Sequence, residues 1–340
     1  MNNTDKQYLD LLRRIIEEGH EQDTRAGKTR SLFGTTMSFD ISNGKIPLLT
    51  TKKVFAKGII HELLWFLSGS TNIKYLVENG VHIWDDDAYR YYMSEIHPNV
   101  WGEKISSKEE FLQAVLEDKK LTYQKNEIKV SNRGLQRLPL CAYIAGELGP
   151  VYGKQWRKFG NHKPFDQIAY IIDKLKNNSD DRRIILDAWN PNDLEGMALP
   201  PCHILYQFST RKLTHEEKEK YGKERALSCC FFMRSNDFTN GNPFNIAQVA
   251  MLTHVFAHVC NMTTDKLVYF GGDTHVYVNN IEQAKLQLER KGSDIYPTLR
   301  LTCPNDIPID KIKYDDFVIE NYYPDEAIKY NLNTGTPSKP

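Results

Sequence analysis

Charge imbalance is the first feature that this sequence lacks. The 340 residues carry 44 basic and 44 acidic side chains, so the formal net charge is zero. A strong positive charge is the electrostatic signature of proteins that bind bulk nucleic acid or an anionic membrane surface. Its absence argues against both as main partners and is compatible with a local basic pocket.

Cysteines and long apolar stretches are also scarce. The chain has six cysteines, none of them in a Cys-x-x-Cys pair, which argues against a disulfide scaffold and a zinc ribbon. No apolar run approaches the roughly 20 residues needed to cross a bilayer, and the first residues lack the apolar stretch of a secretory signal. We therefore expect a cytoplasmic protein with reduced thiols.

Three common signatures are missing or incomplete. There is no Gly-x-Gly-x-x-Gly motif, which argues against a dinucleotide-binding fold. The segment 149–154 resembles a phosphate loop, but it is too short and no Ser or Thr follows Lys154. His254 and His258 are spaced like two metal ligands, but the glutamate of a His-Glu-x-x-His site is missing and the surrounding helix is apolar. We expect core or surface histidines there and no metal site.

The composition that remains is that of a globular protein, 40% hydrophobic and 11% aromatic, and the length suffices for a large core. Apolar periodicity predicts a first helix that ends at Gly19 and begins with a capping box at Thr4. Residues 20–50 are predicted to hold a hairpin that turns at Asn43-Gly44. Further helices are predicted at about 53–68, 243–261 and 276–290, and strands at 184–189, 204–210, 227–233 and 267–270. The pattern predicts an α/β fold of the α+β type in one domain, with no linker and no internal repeat.

The segment 88–145 differs in texture from the rest. Its part between 103 and 130 is rich in charge, and one amphipathic helix is predicted around 108–118. We interpret the segment as an inserted, solvated element.

Two residues stand out as candidates for chemistry. Cys202 follows two prolines at the start of a predicted strand, and a nucleophilic thiol needs such a rigid mount. A structural cysteine after a turn is an equally fair interpretation of that tetrapeptide alone. Glu62 lies within the apolar stripe of a helix, where burial would raise its pKa and suit it to acid–base chemistry. The alternative is a buried salt bridge with Lys52 or Arg157.

Arginines and one asparagine indicate a ligand. Arg182 and Arg183 precede one predicted strand, and Arg234-Ser235 ends another, which favours a phosphate site because guanidinium groups bind phosphate oxygens in pairs. Asn245 lies near the start of a helix, where it can be a cap or can offer one donor and one acceptor to a pyrimidine edge.

Together these stretches closely resemble the thymidylate synthase family, over nearly the whole chain outside 88–145. The matching segments include 48–53, 60–67, 149–156, 188–191, 199–203, 243–247, 272–273 and 275–277. The resemblance implies a thymidylate synthase-like fold with a large mixed sheet flanked by helices. It also implies a homodimer that transfers a one-carbon group from 5,10-methylenetetrahydrofolate to C5 of a pyrimidine nucleotide.

The resemblance also implies roles for individual residues. Cys202 would add to C6 of the ring, and Glu62, Tyr152 and His203 would handle proton transfers through ordered water. Binding roles would fall to Asn245 at the base, to Arg234 and Ser235 at the 5′-phosphate, to Arg182 and Arg183 from the other subunit, to His275 and Tyr277 at the ribose, and to Asp237, Trp84 and Phe244 at the folate.

Three departures from the family pattern concern the groups that close the site over the folate. The family's phosphate-loop arginine corresponds to Thr24, with Arg25 one step away, and its second tryptophan, three residues after Trp84, corresponds to Asp87. The family ends shortly after the position of Lys329, whereas here a polar tail continues over 330–340. In the family the terminal carboxylate closes over the folate through that arginine and tryptophan.

Two further departures accompany these. Asn240 stands where the family has leucine, and Met233 where it has glutamine. The run Met233–Asp237 is similar to that of the family's viral pyrimidine hydroxymethylases.

The joint absence of the arginine, the tryptophan and the terminal carboxylate that close the site predicts a different product. Closure excludes water from the reacting centre, and without it water can attack the exocyclic methylene at C5. The expected product is 5-hydroxymethyl-dUMP with release of tetrahydrofolate. Asn245 favours dUMP over dCMP, because the cytosine-specific relatives carry aspartate there. The alternatives are an ordinary thymidylate synthase and, less favoured, an inactive nucleotide- or RNA-binding relative.

Overall fold

The fold is seen in a computed structural model that describes residues 1–124, 128–131, 134–137 and 140–333. The helices in these ranges are α1 (Asn3–Glu18), α2 (Ala56–Leu67), α3 (Lys74–Glu78), α4 (Asp85–Tyr91), α5 (Lys108–Leu116), α6 (Tyr152–Arg157), α7 (Gln167–Asn177), α8 (His215–Tyr221), α9 (Gly241–Val259) and α10 (Ile281–Leu288). The strands are β1 (His20–Thr24), β2 (Gly27–Asp40), β3 (Val100–Trp101), β4 (Lys120–Gln124), β5 (Ile128–Ser131), β6 (Gly134–Arg137), β7 (Leu140–Ile144), β8 (Ile185–Asp187), β9 (His203–Lys212), β10 (Arg225–Asp237), β11 (Thr263–Tyr277), β12 (Thr298–Leu301) and β13 (Phe317–Glu320).

A six-stranded sheet organises the chain, in the order β1-β2-β11-β10-β9-β8. Strands β10 and β11 run parallel, and the other neighbours are antiparallel, so the sheet is mixed. Its inner face buries alternate side chains such as Cys229, Phe231 and Met233 on β10, as the period of two in a strand requires. The predicted α/β class with a large mixed sheet and flanking helices is confirmed.

The helix α9 is the centre of the core. Nearly all of its residues from Ile246 to Val259 are buried, because its apolar side chains cover the whole circumference. α2 is similarly apolar and packs beside it. These two helices carry Glu62 and Asn245 into the same region above the sheet.

Several predicted boundaries were wrong. Asn2, and not Thr4, caps α1 by accepting a hydrogen bond from the Asp5 amide. The hairpin turns at 25–26, between β1 and β2, whereas Asn43 and Gly44 lie in a short 3₁₀ turn. β11 extends to Tyr277, so the helix predicted from 276 begins only at Ile281. Pairing of Val276 and Tyr277 with β2 keeps this end of the strand extended.

Two glycines explain the segment that resembles a phosphate loop. Gly149 has a positive φ of 73°, and a Cβ there would lie 1.9 Å from the Gly196 carbonyl oxygen. A Cβ on Gly153 would lie 2.2 Å from the carbonyl oxygen of Ser70. Both glycines therefore permit close backbone packing, in agreement with the rejection of a phosphate loop.

The inserted segment is more than a solvated surface element. α5 forms at Lys108–Leu116 with Ser107 as its cap, as predicted within two residues. Tyr92, Phe111 and Tyr143 are buried together, with stacked ring centroids 5.3 and 6.0 Å apart. The segment thus has its own aromatic core, which corrects the interpretation of a wholly solvated insert. Its positions 125–127, 132–133 and 138–139 lie outside the described residues.

None of the helices in the described ranges is both long and apolar enough to cross a membrane. His254 and His258 each hydrogen-bond a backbone carbonyl, of Lys45 and Cys303 respectively, at 3.0 and 2.9 Å. These contacts agree with the interpretation of the pair as structural histidines.

Candidate active site

Cys202 lies at the end of a braced loop immediately before β9. Its backbone amide donates to the Tyr152 hydroxyl at 2.8 Å, and its carbonyl accepts from the Arg234 amide at 2.9 Å. The Arg234 guanidinium donates from Nε to the Pro201 carbonyl at 2.7 Å and from Nη2 to the Pro200 carbonyl at 3.1 Å. The loop is therefore held from two elements, and the thiol is partly buried.

A bulge directly follows the cysteine. Phe232 on β10 pairs with Leu205, and Met233 pairs with His203, so Ile204 is an extra residue on β9. Bulges re-aim the side chains beside them and are common at functional sites.

The thiol of Cys202 is protonated in the ligand-free protein. Burial raises its pKa, the positive charge of Arg234 opposes this, and the carboxylates of Asp87 and Asp237 add to the increase. Activation of the sulfur therefore requires a proton acceptor at the time of attack.

Glu62 faces the same space from α2. Burial raises its pKa to about 7, although two hydrogen bonds favour the ionised form. The Trp84 indole and the Gln248 amide each donate to one carboxylate oxygen, both at 2.6 Å. The alternative of a salt bridge with Lys52 or Arg157 was wrong, because Lys52 donates to the Thr239 carbonyl and Arg157 pairs with aspartates.

Gln248 is a site residue that the sequence analysis missed. It is a buried polar side chain on α9 that lies between the apolar residues Ala247 and Val249. The signal was similar to that of Glu62, a polar residue within an apolar stretch of helix, because such a group needs a partner when buried.

Tyr152 and His203 form an aromatic layer beside the thiol. Their rings stack with centroids 4.4 Å apart, and His203 Nδ1 also hydrogen-bonds the Tyr206 hydroxyl. Burial lowers the pKa of His203 to about 3 and raises that of Tyr152 well above its usual value. Both groups are therefore neutral near pH 7 and can relay protons only through their hydrogen bonds.

Arg234 is the arginine that the single chain brings to the cysteine. Its guanidinium also lies over the Trp189 ring, 5.4 Å from the centroid. Within the described part of one chain, no contact joins Arg182 or Arg183 to this cluster. Arg183 is 83% exposed and pairs with Asp181 at 2.9 Å.

The end of β11 provides a second polar wall. His275 is buried, bonds Asp273 through Nδ1 at 3.1 Å, and lies edge-on to the Tyr277 ring at 5.3 Å. The carboxylate of Asp273 also accepts from the Ser31 hydroxyl at 2.5 Å. Ser235 is paired with Asp273 across the β10–β11 ladder, so the strand ends bring Ser235 and His275 together.

Asp237 and Asn245 flank the start of α9. One oxygen of Asp237 accepts from the amides of Thr239 and Asn240, at 3.0 and 3.1 Å, which fixes the turn into the helix. Phe244 and Asn245 are only partly buried in the first turn of α9. Among the described residues, the Asn245 amide has no hydrogen-bonding partner, so it is free to bind a ligand.

The tail is anchored next to Asp237 by asparagines. The Asn331 carbonyl accepts from the side-chain amides of Asn240 and Asn280, both at 3.0 Å, and the Asn331 amide donates to Asn280 at 2.7 Å. Asn240 also donates to Asp237 at 3.2 Å. Two departures from the family pattern, Asn240 and the polar tail, are thus one contact. Residues 334–340 of the tail lie outside the described residues.

The neighbouring residue Tyr330 also anchors the tail. Its hydroxyl donates to Gln287 at 2.7 Å, and the Lys52 ammonium lies 4.6 Å from its ring centroid. Burial lowers the pKa of Lys52 to about 8.

The other departures lie in the β1–β2 turn and on α4. Thr24 closes the β1–β2 turn by donating to the Gly27 carbonyl at 2.6 Å. Asp87 is on α4, where it pairs with Arg90. In the described ranges there is no group of three or more potential metal ligands.

Comparison with known proteins identifies the family of this chain. A family model described as thymidylate synthase matches residues 6–334. The thymidylate synthase of Rhodopseudomonas palustris is 38% identical over 335 residues, which cover 98% of this chain and 99% of that protein. The thymidylate synthase of Candida albicans is 39% identical over 353 residues, which cover 98% of each chain.

Proposed function

Because the chain belongs to the thymidylate synthase family, we propose that it acts on dUMP and 5,10-methylenetetrahydrofolate and releases 5-hydroxymethyl-dUMP. Membership of the family supports one-carbon transfer to dUMP. The relatives' names favour dTMP and dihydrofolate as products, so the hydroxymethyl product is the finer part of the proposal. A cytoplasmic location is also part of it.

The observation that carries the proposal is the hydrogen bond between Asn240 and the Asn331 carbonyl. It commits the tail to a polar anchor beside Asp237, where the family closes its site with a terminal carboxylate. A site rimmed by amides and by the Asp87–Arg90 pair retains water near the reacting carbon. Water then competes with hydride as the nucleophile.

The bond-making steps follow from the residues described above. The sulfur of Cys202 attacks C6 of dUMP as its proton passes toward Glu62, and C5 becomes a carbon nucleophile. Asn245 donates to O4 and accepts from N3–H of uracil, which a cytosine ring cannot match. Arg234 and Ser235 bind the 5′-phosphate, and His275 and Tyr277 bind the ribose hydroxyl.

The folate side of the site fits a flat heterocycle that carries N–H donors. Asp237 keeps an oxygen with a single long bond, to Asn240 at 3.2 Å, and Phe244 offers a partly buried ring. Trp84 contributes mainly by holding Glu62. When bound, the folate supplies the one-carbon unit.

A second copy of the chain is part of the proposal. The outer face of the sheet carries an apolar row, with Phe270, Phe232 and Leu205 in register across three strands. Phe270 is 41% exposed and Leu205 is 40% exposed. A homodimer through this face would cover the row and carry Arg182 and Arg183 toward the partner's phosphate site.

The product assay tests the proposal. The protein is incubated with dUMP and methylenetetrahydrofolate, the nucleotide is identified by mass, and dihydrofolate is followed by absorbance. We expect 5-hydroxymethyl-dUMP without dihydrofolate, and little conversion of dCMP in a parallel reaction. Stoichiometric dTMP and dihydrofolate would instead establish a thymidylate synthase, and binding without turnover would favour the inactive relative.

The pKa of Glu62 predicts a pH dependence for attack by the thiol. The competent enzyme carries one proton on the Glu62–Cys202 pair. Since the pKa of Glu62 is about 7 and that of the thiol is raised, both groups are protonated below pH 7. We expect adduct formation to fall about tenfold per pH unit below about pH 7 and to stay level just above it.

The measurement is the rate of covalent adduct formation with 5-fluoro-dUMP between pH 5 and 9. Glu62→Gln should slow the reaction about 10²-fold and remove the acid limb, since the variant has no carboxyl to protonate. An acid limb that persists in this variant would assign the ionisation to another group.

A further inference from the structure

Asp87 is a carboxylate at the rim of the site, and none of the bond-making steps given above involves it. It lies one helical turn after Trp84, so the two side chains share a face of α4. Trp84 holds Glu62, and its ring lies edge-on to Tyr152, 6.3 Å away. This places the Asp87 side chain on the side of the helix that faces the cysteine.

Arg90 joins Asp87 to the cysteine loop. Its guanidinium pairs with Oδ1 of Asp87 and donates to the Ala198 carbonyl at 3.3 Å. Ala198 lies four residues before Cys202 in the same loop. The charge of the Asp87 carboxylate contributes to the raised pKa of the Cys202 thiol.

The second carboxylate oxygen is available. Among the described residues no donor contacts Oδ2 of Asp87, and the side chain is 17% exposed. A partly buried carboxylate oxygen without a protein donor is a ready acceptor for a water molecule.

Space for water adjoins the pair. Arg90 and Ala198 lie on the wall of a polar cavity of about 190 Å³, together with Arg25 and Glu95. That volume holds several water molecules, each of which takes about 30 Å³ in the liquid. The cavity therefore provides space for water beside Arg90, the residue that pairs with Asp87.

We propose that Asp87 is the general base that holds and deprotonates the attacking water, with Arg90 fixing its carboxylate. This inference rests on the proposed hydroxymethylase function. Once C5 has bonded to the one-carbon unit, and the C5 proton and tetrahydrofolate have left the nucleotide, an exocyclic methylene stands at C5. The water oxygen bonds to this methylene carbon while its proton passes to Oδ2 of Asp87. The methylene π electrons move into the C4 carbonyl as an enolate, which then re-forms the C5=C6 bond and expels the Cys202 thiolate. No oxidant or reductant takes part.

The electrostatics of Asp87 agree with this role. Burial raises the pKa of its carboxyl, while the charges of Arg90 and Arg25 oppose the increase. A carboxylate with a raised pKa is a stronger base than an exposed aspartate.

Asp87→Asn is the deciding variant, and Asp86→Asn is its matched control. Asp86 lies next to it on α4, 52% exposed, and pairs with Lys108, so the control removes the same charge outside the site. We expect Asp87→Asn to lower 5-hydroxymethyl-dUMP formation about 10²-fold, since that is a usual contribution of a general base. Asp86→Asn should stay within about twofold of wild type.

Two readouts separate base catalysis from a structural role. The rate of covalent adduct formation with 5-fluoro-dUMP, which does not involve the water, should not fall in Asp87→Asn, because loss of this carboxylate can only ease ionisation of the Cys202 thiol. In the presence of 2-mercaptoethanol the product of this variant should shift to the thioether nucleotide, because the thiol captures the methylene that water no longer attacks. Asp87→Glu should restore part of the hydroxymethyl product.

The outcomes distinguish this inference from the function on which it rests. If wild type makes 5-hydroxymethyl-dUMP and Asp87→Asn leaves the ratio of hydroxymethyl to thioether product unchanged, Asp87 is not the base and the function stands. If Asp87→Asn loses the 5-fluoro-dUMP adduct as well, its role is structural. If wild type makes dTMP and dihydrofolate, no water attack occurs and both are overturned.

Discussion

Cys202→Ser is expected to lower product formation by on the order of 10⁴-fold or more, the scale seen when a covalent nucleophile is removed. A serine hydroxyl at this position would be a weak nucleophile, because the buried site disfavours the anion and the hydroxyl is much less acidic than the thiol. The measurement is single-turnover product formation, with mass spectrometry for the 5-fluoro-dUMP adduct. We expect no adduct in the variant.

Binding should survive the substitution. The bonds that brace the loop run through the Cys202 backbone, to Tyr152 and Arg234, and serine keeps them. The dissociation constant for dUMP, measured by calorimetry, should therefore change little. Cys303→Ser is the matched control, because Cys303 is a buried thiol that lies against His258, outside the site. Product formation by Cys202→Ser near the wild-type rate would contradict covalent catalysis and leave a binding function as the better interpretation.

The double variant Arg182→Ala/Arg183→Ala is expected to lower kcat/KM for dUMP by at least about 10²-fold, because each arginine would make charge-assisted hydrogen bonds to the phosphate. In the described part of one chain neither side chain contacts Arg234, and Arg183 pairs only with Asp181 there. The loss therefore depends on a second subunit.

Mixing two inactive proteins tests the shared site. Heterodimers of Cys202→Ser and the double arginine variant have one site with both defects and one with none, so random exchange should restore about a quarter of the wild-type activity. Cys202→Ser mixed with Glu62→Gln is the control, because both defects then remain in the subunit that carries them and every site is impaired. No recovery in the first mixture, with heterodimers confirmed by mass, would place the arginines in their own subunit's site or outside any site.

In the proposed function the product depends on which groups close the site, and these groups are distributed over distant segments. The asparagine that bonds the tail lies 91 positions before the residue it bonds. Arg90 reaches Ala198 over 108 positions. Both contacts come from pairs of residues that have no local pattern. In the proposed function, their effect on water at the exocyclic methylene separates a hydroxymethyl product from a methyl product.

The sequence by itself determined the fold class and the family, and it proposed most of the site residues. Local patterns carry that information: apolar periodicity marks α2 and α9, and a lone carboxylate within such a stripe marks Glu62. Cys202 and Asn245 lie in short motifs whose residues act together. Such signals need only a few neighbouring positions to be recognised.

Only the tertiary structure decided which side chains and strands bond to one another. It showed that Glu62 bonds to Trp84 and Gln248 and not to a basic side chain, and it extended β11 to Tyr277 because β2 pairs with the last residues of the strand. It also joined Asn240 to the tail and Asp87 to the cysteine loop. Hydrogen bonds and strand pairing between distant segments depend on how the whole chain packs, and packing has no period that a sequence window can reveal.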